Sequence, residues 1–178
     1  MKARVLFPVL LVLGILAIPS YAAAQPKAEV GGSLAGIMIG LGDNDETVFG
    51  VPSATFGLAT PGVYASFFTS PNLAVEPQLG LVVASSGGHS SHVLSAAAQV
   101  DYFLNGVTEN SLYGLVAAGV LDVSGDTSSP KSLSFGAGYR MPVGGRLVFR
   151  VDGRFSHFTA GAGNALSFGL SIGGLFNR

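Results

Sequence analysis

The sequence predicts an all-β protein, an eight-stranded antiparallel up-and-down transmembrane β-barrel. Three observations carry that expectation. Charged residues make up 11% of the chain, against about 25% in ordinary soluble domains. After residue 24 no apolar run approaches the roughly 20 residues that a membrane helix needs. The remainder is a Gly-rich chain, with 26 glycines overall, that divides into segments of about ten residues with alternating hydrophobicity, separated by turn residues.

The start of the chain reads as a targeting segment. Lys2 and Arg4 precede an apolar run from Val5 to Ile18. Ser20-Tyr21-Ala22-Ala23-Ala24 then places small residues where a signal peptidase reads. Residues 1–24 are therefore expected to be a cleaved signal peptide, and residues 25–178, beginning at Gln25, a single transmembrane β-barrel domain. Pro8, Gly14 and Pro19, together with the shortness of the run, argue against a single-span anchor.

Composition excludes several chemistries. With no Cys there is no disulfide framework, thiol nucleophile or thiolate metal site. A formal net charge of −1 without a basic block does not suit a nucleic-acid partner. Nothing in the sequence calls for a cofactor.

The eight segments fall at 28–41, 61–69, 73–84, 92–103, 111–121, 131–141, 146–157 and 165–176. The connections Ser70-Pro71-Asn72, Asn105 to Asn110 and Pro142 to Gly145 are short. Those near 42–60, 85–91, 122–130 and 158–164 are longer and rich in Gly, Ser, Asp and Thr. A meander with short periplasmic turns and longer outer loops alternates in this way, and an even strand number returns both ends to the periplasm. The first long connection contains Val48 to Leu58, an apolar stretch suited to extending its strands beyond the membrane.

Because successive strand residues face opposite sides, each segment can be split by parity. In the last but one, Leu147, Phe149, Val151, Gly153 and Phe155 oppose Val148, Arg150, Asp152 and Arg154. In the last, Leu166, Phe168, Leu170, Ile172 and Phe176 oppose Ser167, Gly169, Ser171 and Gly173. Val75, Pro77, Leu79, Leu81 and Val83 oppose Glu76, Gln78 and Gly80. Leu94, Ala96, Ala98, Val100 and Tyr102 oppose Ser95, Ala97, Gln99 and Asp101. Leu133, Phe135, Ala137, Tyr139 and Met141 oppose Ser132, Ser134, Gly136, Gly138 and Arg140. The fifth segment, Leu112 to Leu121, is apolar on both faces. The second face is small and poor in Lys and Glu. It would make a poor solubilising surface but suits a narrow lumen, so the bulky apolar face is expected to meet lipid.

The inward polar set is then Glu76, Gln78, Gln99, Asp101, Arg140, Arg150, Asp152 and Arg154, with Glu29 a further member. An eight-stranded barrel is just wide enough for side chains to fill. Its buried charges must pair, so the set is expected to form an ion-pair plug, with Glu76 and Asp101 as candidate partners for the arginines. The alternative is a narrow channel for ions or small solutes, with the same groups setting selectivity.

With the last strand assigned, the chain resembles the superfamily of small eight-stranded bacterial outer-membrane barrels, OmpA-like in its membrane part. The likeness rests on the signal, the eight alternating segments and the ending Ser167-Phe168-Gly169-Leu170-Ser171-Ile172-Gly173-Gly174-Leu175-Phe176. Turn-plus-strand units such as Ser70-Pro71-Asn72-Leu73-Ala74-Val75-Glu76 add to it. The resemblance implies a bacterial outer-membrane location, surrounding outer-membrane lipids, and an assembly machinery that reads a terminal aromatic. Here Phe176 is followed by Asn177 and Arg178, a departure from that ending. The superfamily includes structural barrels, adhesins, small channels and lipid-modifying enzymes, so function does not follow from fold.

Two histidine groups remain. His89 and His92 lie in or beside an outer loop, where metal capture with Asp43, Asp45 or Glu46 can be weighed against solvated loop residues, the better-supported reading. His157 belongs to Ser156-His157-Phe158-Thr159. Lipid A deacylases are similar barrels with a His-x-Ser pair near the outer end of a late strand and an acidic residue on the next. This chain has Thr159 at the Ser position and no Asp or Glu after Asp152, so the expectation is a non-enzymatic barrel with a structural or surface-interaction role and an unknown surface ligand.

Overall fold

The computed structural model describes residues 27–41, 47–50, 62–86, 89–107, 110–123, 130–159 and 163–176. Its strands are β1 (Ala28–Leu41), β2 (Thr47–Gly50), β3 (Val63–Ser70), β4 (Leu73–Ser86), β5 (His89–Phe103), β6 (Ser111–Val123), β7 (Lys131–Val143), β8 (Leu147–Phe158) and β9 (Asn164–Phe176). Neighbours pair antiparallel, and β1 also pairs with β9, from Ala28↔Phe176 to Leu41↔Asn164. That pairing closes the sheet and removes its edges, as lipid requires of a spanning sheet. The fold is an eight-stranded antiparallel barrel.

The ninth strand does not make a ninth stave. β3 pairs with the first half of β1, Ala28↔Phe67 to Gly32↔Val63. β2 pairs with its second half, Gly36↔Gly50 to Ile39↔Thr47. The two are pieces of one stave, and β2 falls where the sequence suggested strand extension by Val48 to Leu58. Residues 51–61 lie outside the described set. The connection expected near 85–91 is also shorter than its composition suggested. β4 and β5 stay paired to Ser86↔His89; residues 87 and 88 lie outside the described set. His89, expected in the connection, is therefore a strand residue of β5, as His92 was expected to be.

The termini and the short turns share one end, the terminal end, where the Lys27 amide donates to the Phe176 carbonyl at 3.1 Å. The other is the loop end. Between β7 and β8, Gly144 and Gly145 take φ of 55° and 54°, a conformation that costs Gly nothing and other residues a good deal.

The barrel is inverted in polarity. Outward-facing Leu112, Val116, Phe135 and Phe168 are each more than half exposed. Glu76, Gln99, Asp101 and Arg140 are buried. The strand that was apolar on both faces resolves by packing: Ser111, Tyr113, Leu115 and Ala117 face in, and Leu112, Gly114, Val116 and Ala118 face out. At the terminal end Phe68, Ala74, Phe103, Val107, Tyr113 and Leu115 form a buried apolar layer across the lumen, with Leu175 against it.

Candidate functional site

Above that apolar layer the lumen holds a connected polar network. Period two puts each member on the inner face: Glu29 on β1, Tyr64 and Ser66 on β3, Glu76 and Gln78 on β4, Gln99 and Asp101 on β5, and Tyr113 on β6. Arg140 comes from β7, and Arg150, Asp152 and Arg154 from β8. All are buried. β9 contributes no charge to this level. Ser171 and Gly173 leave room for side chains reaching across from other strands.

Arg150 is the hub. It crosses the lumen from β8 to β4 and β5, with Nη1 2.5 Å from Glu76 Oε2 and Nη2 2.8 Å from Asp101 Oδ2. Nη1 also donates to Ser66 Oγ at 3.3 Å and lies 3.8 Å from Glu29 Oε1. Its guanidinium stands 4.9 Å from the ring centroids of both Tyr64 and Tyr113, a placement favoured by the ring quadrupoles. Ser66 donates its hydroxyl to Glu76. Gln78 donates to Glu76 Oε1 at 2.7 Å and to Gln99 Oε1 at 2.9 Å, and Gln99 donates to Asp101 Oδ1 at 2.6 Å.

The other two arginines have separate partners. Arg140 pairs with Glu29 through Nε and Nη2, each 3.0 Å from Oε2, and its Nη1 donates to the Val107 carbonyl. Glu29 accepts a further bond from Tyr64 at 2.8 Å. Arg154 donates from Nε and Nη2 to Asp152 Oδ1, two residues back on its own strand, at 2.9 and 2.7 Å. Asp152 Oδ2 lies 3.5 Å from the Tyr113 hydroxyl. Glu76 and Asp101, which the sequence offered as partners for any arginine, thus converge on Arg150, while Arg154 takes a neighbour that sequence alone did not single out as its partner.

Four inward residues are not evident from the sequence pattern. Tyr64 and Ser66 sit at period two with Phe68, a signal that is present but diluted by Ala65 and Phe67 on the other face. Tyr113 sits in the segment that shows no polar face at all. Val107 lies in a turn, where alternation says nothing.

Farther toward the loop end the lumen lining is small. Ser134 and Ser156 share a hydrogen bond of 2.7 Å, with Ser95, Ser132 and Ser167 also buried. Outside, His157 Nδ1 lies 2.8 Å from Asn164 Oδ1, and the Thr159 hydroxyl accepts the Lys131 amide at 2.9 Å. Among the described residues no cluster of three or more His, Asp or Glu side chains is placed to hold a metal ion. Asp43, Asp45 and Glu46 lie outside the described residues.

The fold has solved counterparts. The chain is similar to Ail, the attachment invasion locus protein of Yersinia pestis, at a TM-score of 0.51 and 14% identity, over 86% of this chain and 100% of that one. It is likewise similar to Ail in complex with the heparin analogue sucrose octasulfate, at a TM-score of 0.52 and 14% identity, over 84% and 97% of the two chains. At that identity the likeness is one of fold, that of a small eight-stranded β-barrel. No protein-family model matches the chain, and no curated protein matches it by sequence.

Proposed function

We propose that this chain is an exported protein of the bacterial outer membrane, with residues 1–24 removed near Gln25 and residues 25–178 forming a barrel whose lumen is closed. Its role is structural or surface-interacting rather than enzymatic. The observation that carries this reading is the bridge of Arg150 from β8 to Glu76 and Asp101 on the opposite wall. In a barrel this narrow, such a bridge, packed between Tyr64 and Tyr113, leaves little room for a solute path. The terminal end, with its short turns, faces the periplasm, and the loop end faces outward. Outer-membrane lipids surround the apolar band, and the final strand ending at Phe176 is the segment for the assembly machinery to read.

The fold likeness to an attachment protein supports a surface role as a class. The charge balance of this chain does not favour the heparin analogue that protein binds. Heparin-like ligands are polyanions, and the sequence between β1 and β2 and from Asp122 to Lys131 carries Asp43, Asp45, Glu46, Asp122 and Asp126 against a single Lys131. Like charge opposes such an encounter.

Fractionation tests the placement. The mature protein should begin near Gln25, sediment with outer membranes, and migrate differently in mild SDS before and after boiling. Recovery as a soluble periplasmic monomer would end the reading. Mass spectrometry of lipid A from cells with and without the protein should show no difference, and a lost or gained acyl chain would favour the lipid-modifying alternative.

A further inference from the structure

The turn between β5 and β6 does more than join two strands. Its Val107 side chain is fully buried in the apolar layer of the terminal end, beside Phe68 and Phe103. Three features hold it there. The Val107 amide donates to the Pro71 carbonyl at 3.0 Å, tying this turn to the turn between β3 and β4. Gly106 reverses the chain just before it with φ of 81°, a value that suits Gly alone. And the Val107 carbonyl accepts from Arg140 Nη1, while the same guanidinium pairs with Glu29 and lies 5.7 and 5.9 Å from the Phe68 and Phe103 ring centroids.

A turn that only linked two strands would point its side chains into water. This one places an apolar residue, Val107, in the buried layer beneath the charges. We propose that Val107, set by Gly106 just after the end of β5, is a stopper for the terminal end of the lumen, latched by Arg140. One guanidinium then serves both the stopper and the ion-pair network, so the seal has two layers that share a residue. The inference rests on the closed-lumen reading and adds a second, separable barrier to it.

The natural absence of Cys allows a clean accessibility test. Ala74 is buried in the apolar layer with Val107 and lies two residues from Glu76 on β4. A reagent from the terminal end must enter the layer that Val107 fills, and one from the loop end meets the network first. An Ala74→Cys reporter is treated with a small, water-soluble methanethiosulfonate, and only the heat-modifiable, folded band is scored. Exposed Arg146→Cys sets the open rate. In the otherwise native protein the reporter should react at least a hundredfold more slowly than that reference. Adding Val107→Gly should raise its rate at least tenfold. Arg140→Lys keeps a charge for Glu29 but cannot also reach the Val107 carbonyl in the same way, and it should raise the rate too. Phe168→Leu, on the outer face and away from both layers, should leave the rate unchanged.

A reporter that reacts at the open rate in the native background overturns the stopper. So does one that stays slow with Val107→Gly. If Arg154→Ala opens access and Val107→Gly does not, the network alone seals the lumen. The stopper then fails while the closed-lumen reading stands.

Discussion

The phenol of Tyr113 occupies the space that a Cβ at Gly138 would need, and the two residues face each other directly across the β6–β7 pair. Tyr64 likewise fills the Cβ space of Gly31, its partner across β1 and β3, and that of Gly173 on β9. The glycines are thus seats for two rings that flank Arg150. Gly138→Ala should cost about 1–3 kcal/mol, the usual penalty of overpacking. Gly114→Ala, on the outer face with nothing within 4 Å of the added atom, should be nearly neutral. Urea unfolding in lipid vesicles measures both, and equal costs would remove the packing role assigned to Tyr113.

The arginines should separate by partner. Arg150→Ala leaves Glu76 and Asp101 together without their shared cation, and should destabilise the barrel by about 3–5 kcal/mol. In double-mutant cycles Arg154 should couple to Asp152 by about 1–3 kcal/mol, and to Asp101 by less than about 0.5 kcal/mol. A larger coupling to Asp101 would mean that the network is wired differently from these contacts.

On the outer face, depth decides the penalty. Phe135 and Phe168 lie well within β7 and β9, and Phe149 is two residues from the terminal-end turn. Arg at Phe135 or Phe168 should cost roughly 2–4 kcal/mol, and Phe149→Arg less, because the cost of a charge falls toward the interface. Phe168→Leu should be close to silent. If Arg is tolerated at all three, the apolar face is not in hydrocarbon.

The wall of this barrel is legible in the sequence because alternation with period two is a local signal. Leu147 to Phe155 and Leu166 to Phe176 state their faces outright, and those faces set the inner position of Arg150 and Asp152. The rest depends on information that does not reside in one strand. The Arg150 bridge joins residues 74 and 49 positions apart, and parity cannot choose among carboxylates on a shared inner face. Tyr113 is hidden because its neighbours Leu115 and Ala117 are apolar on the lumen side too, where they pack against other side chains rather than water. Val107 is hidden because a turn has no periodicity. The bounds of β2 are not legible because Thr47 to Gly50 is too short to alternate visibly, and its strand character comes from pairing with Gly36 to Ile39.

Planar-bilayer recording is the most direct test of the closed lumen. The native protein should show no steady unitary conductance. Arg150→Ala combined with Val107→Gly should open measurable current, more than either change alone, because each removes one layer of the seal. Steady, ion-selective conductance through the native barrel, with Arg150→Ala altering selectivity and leaving stability unchanged, would contradict the account and make the lumen a working channel.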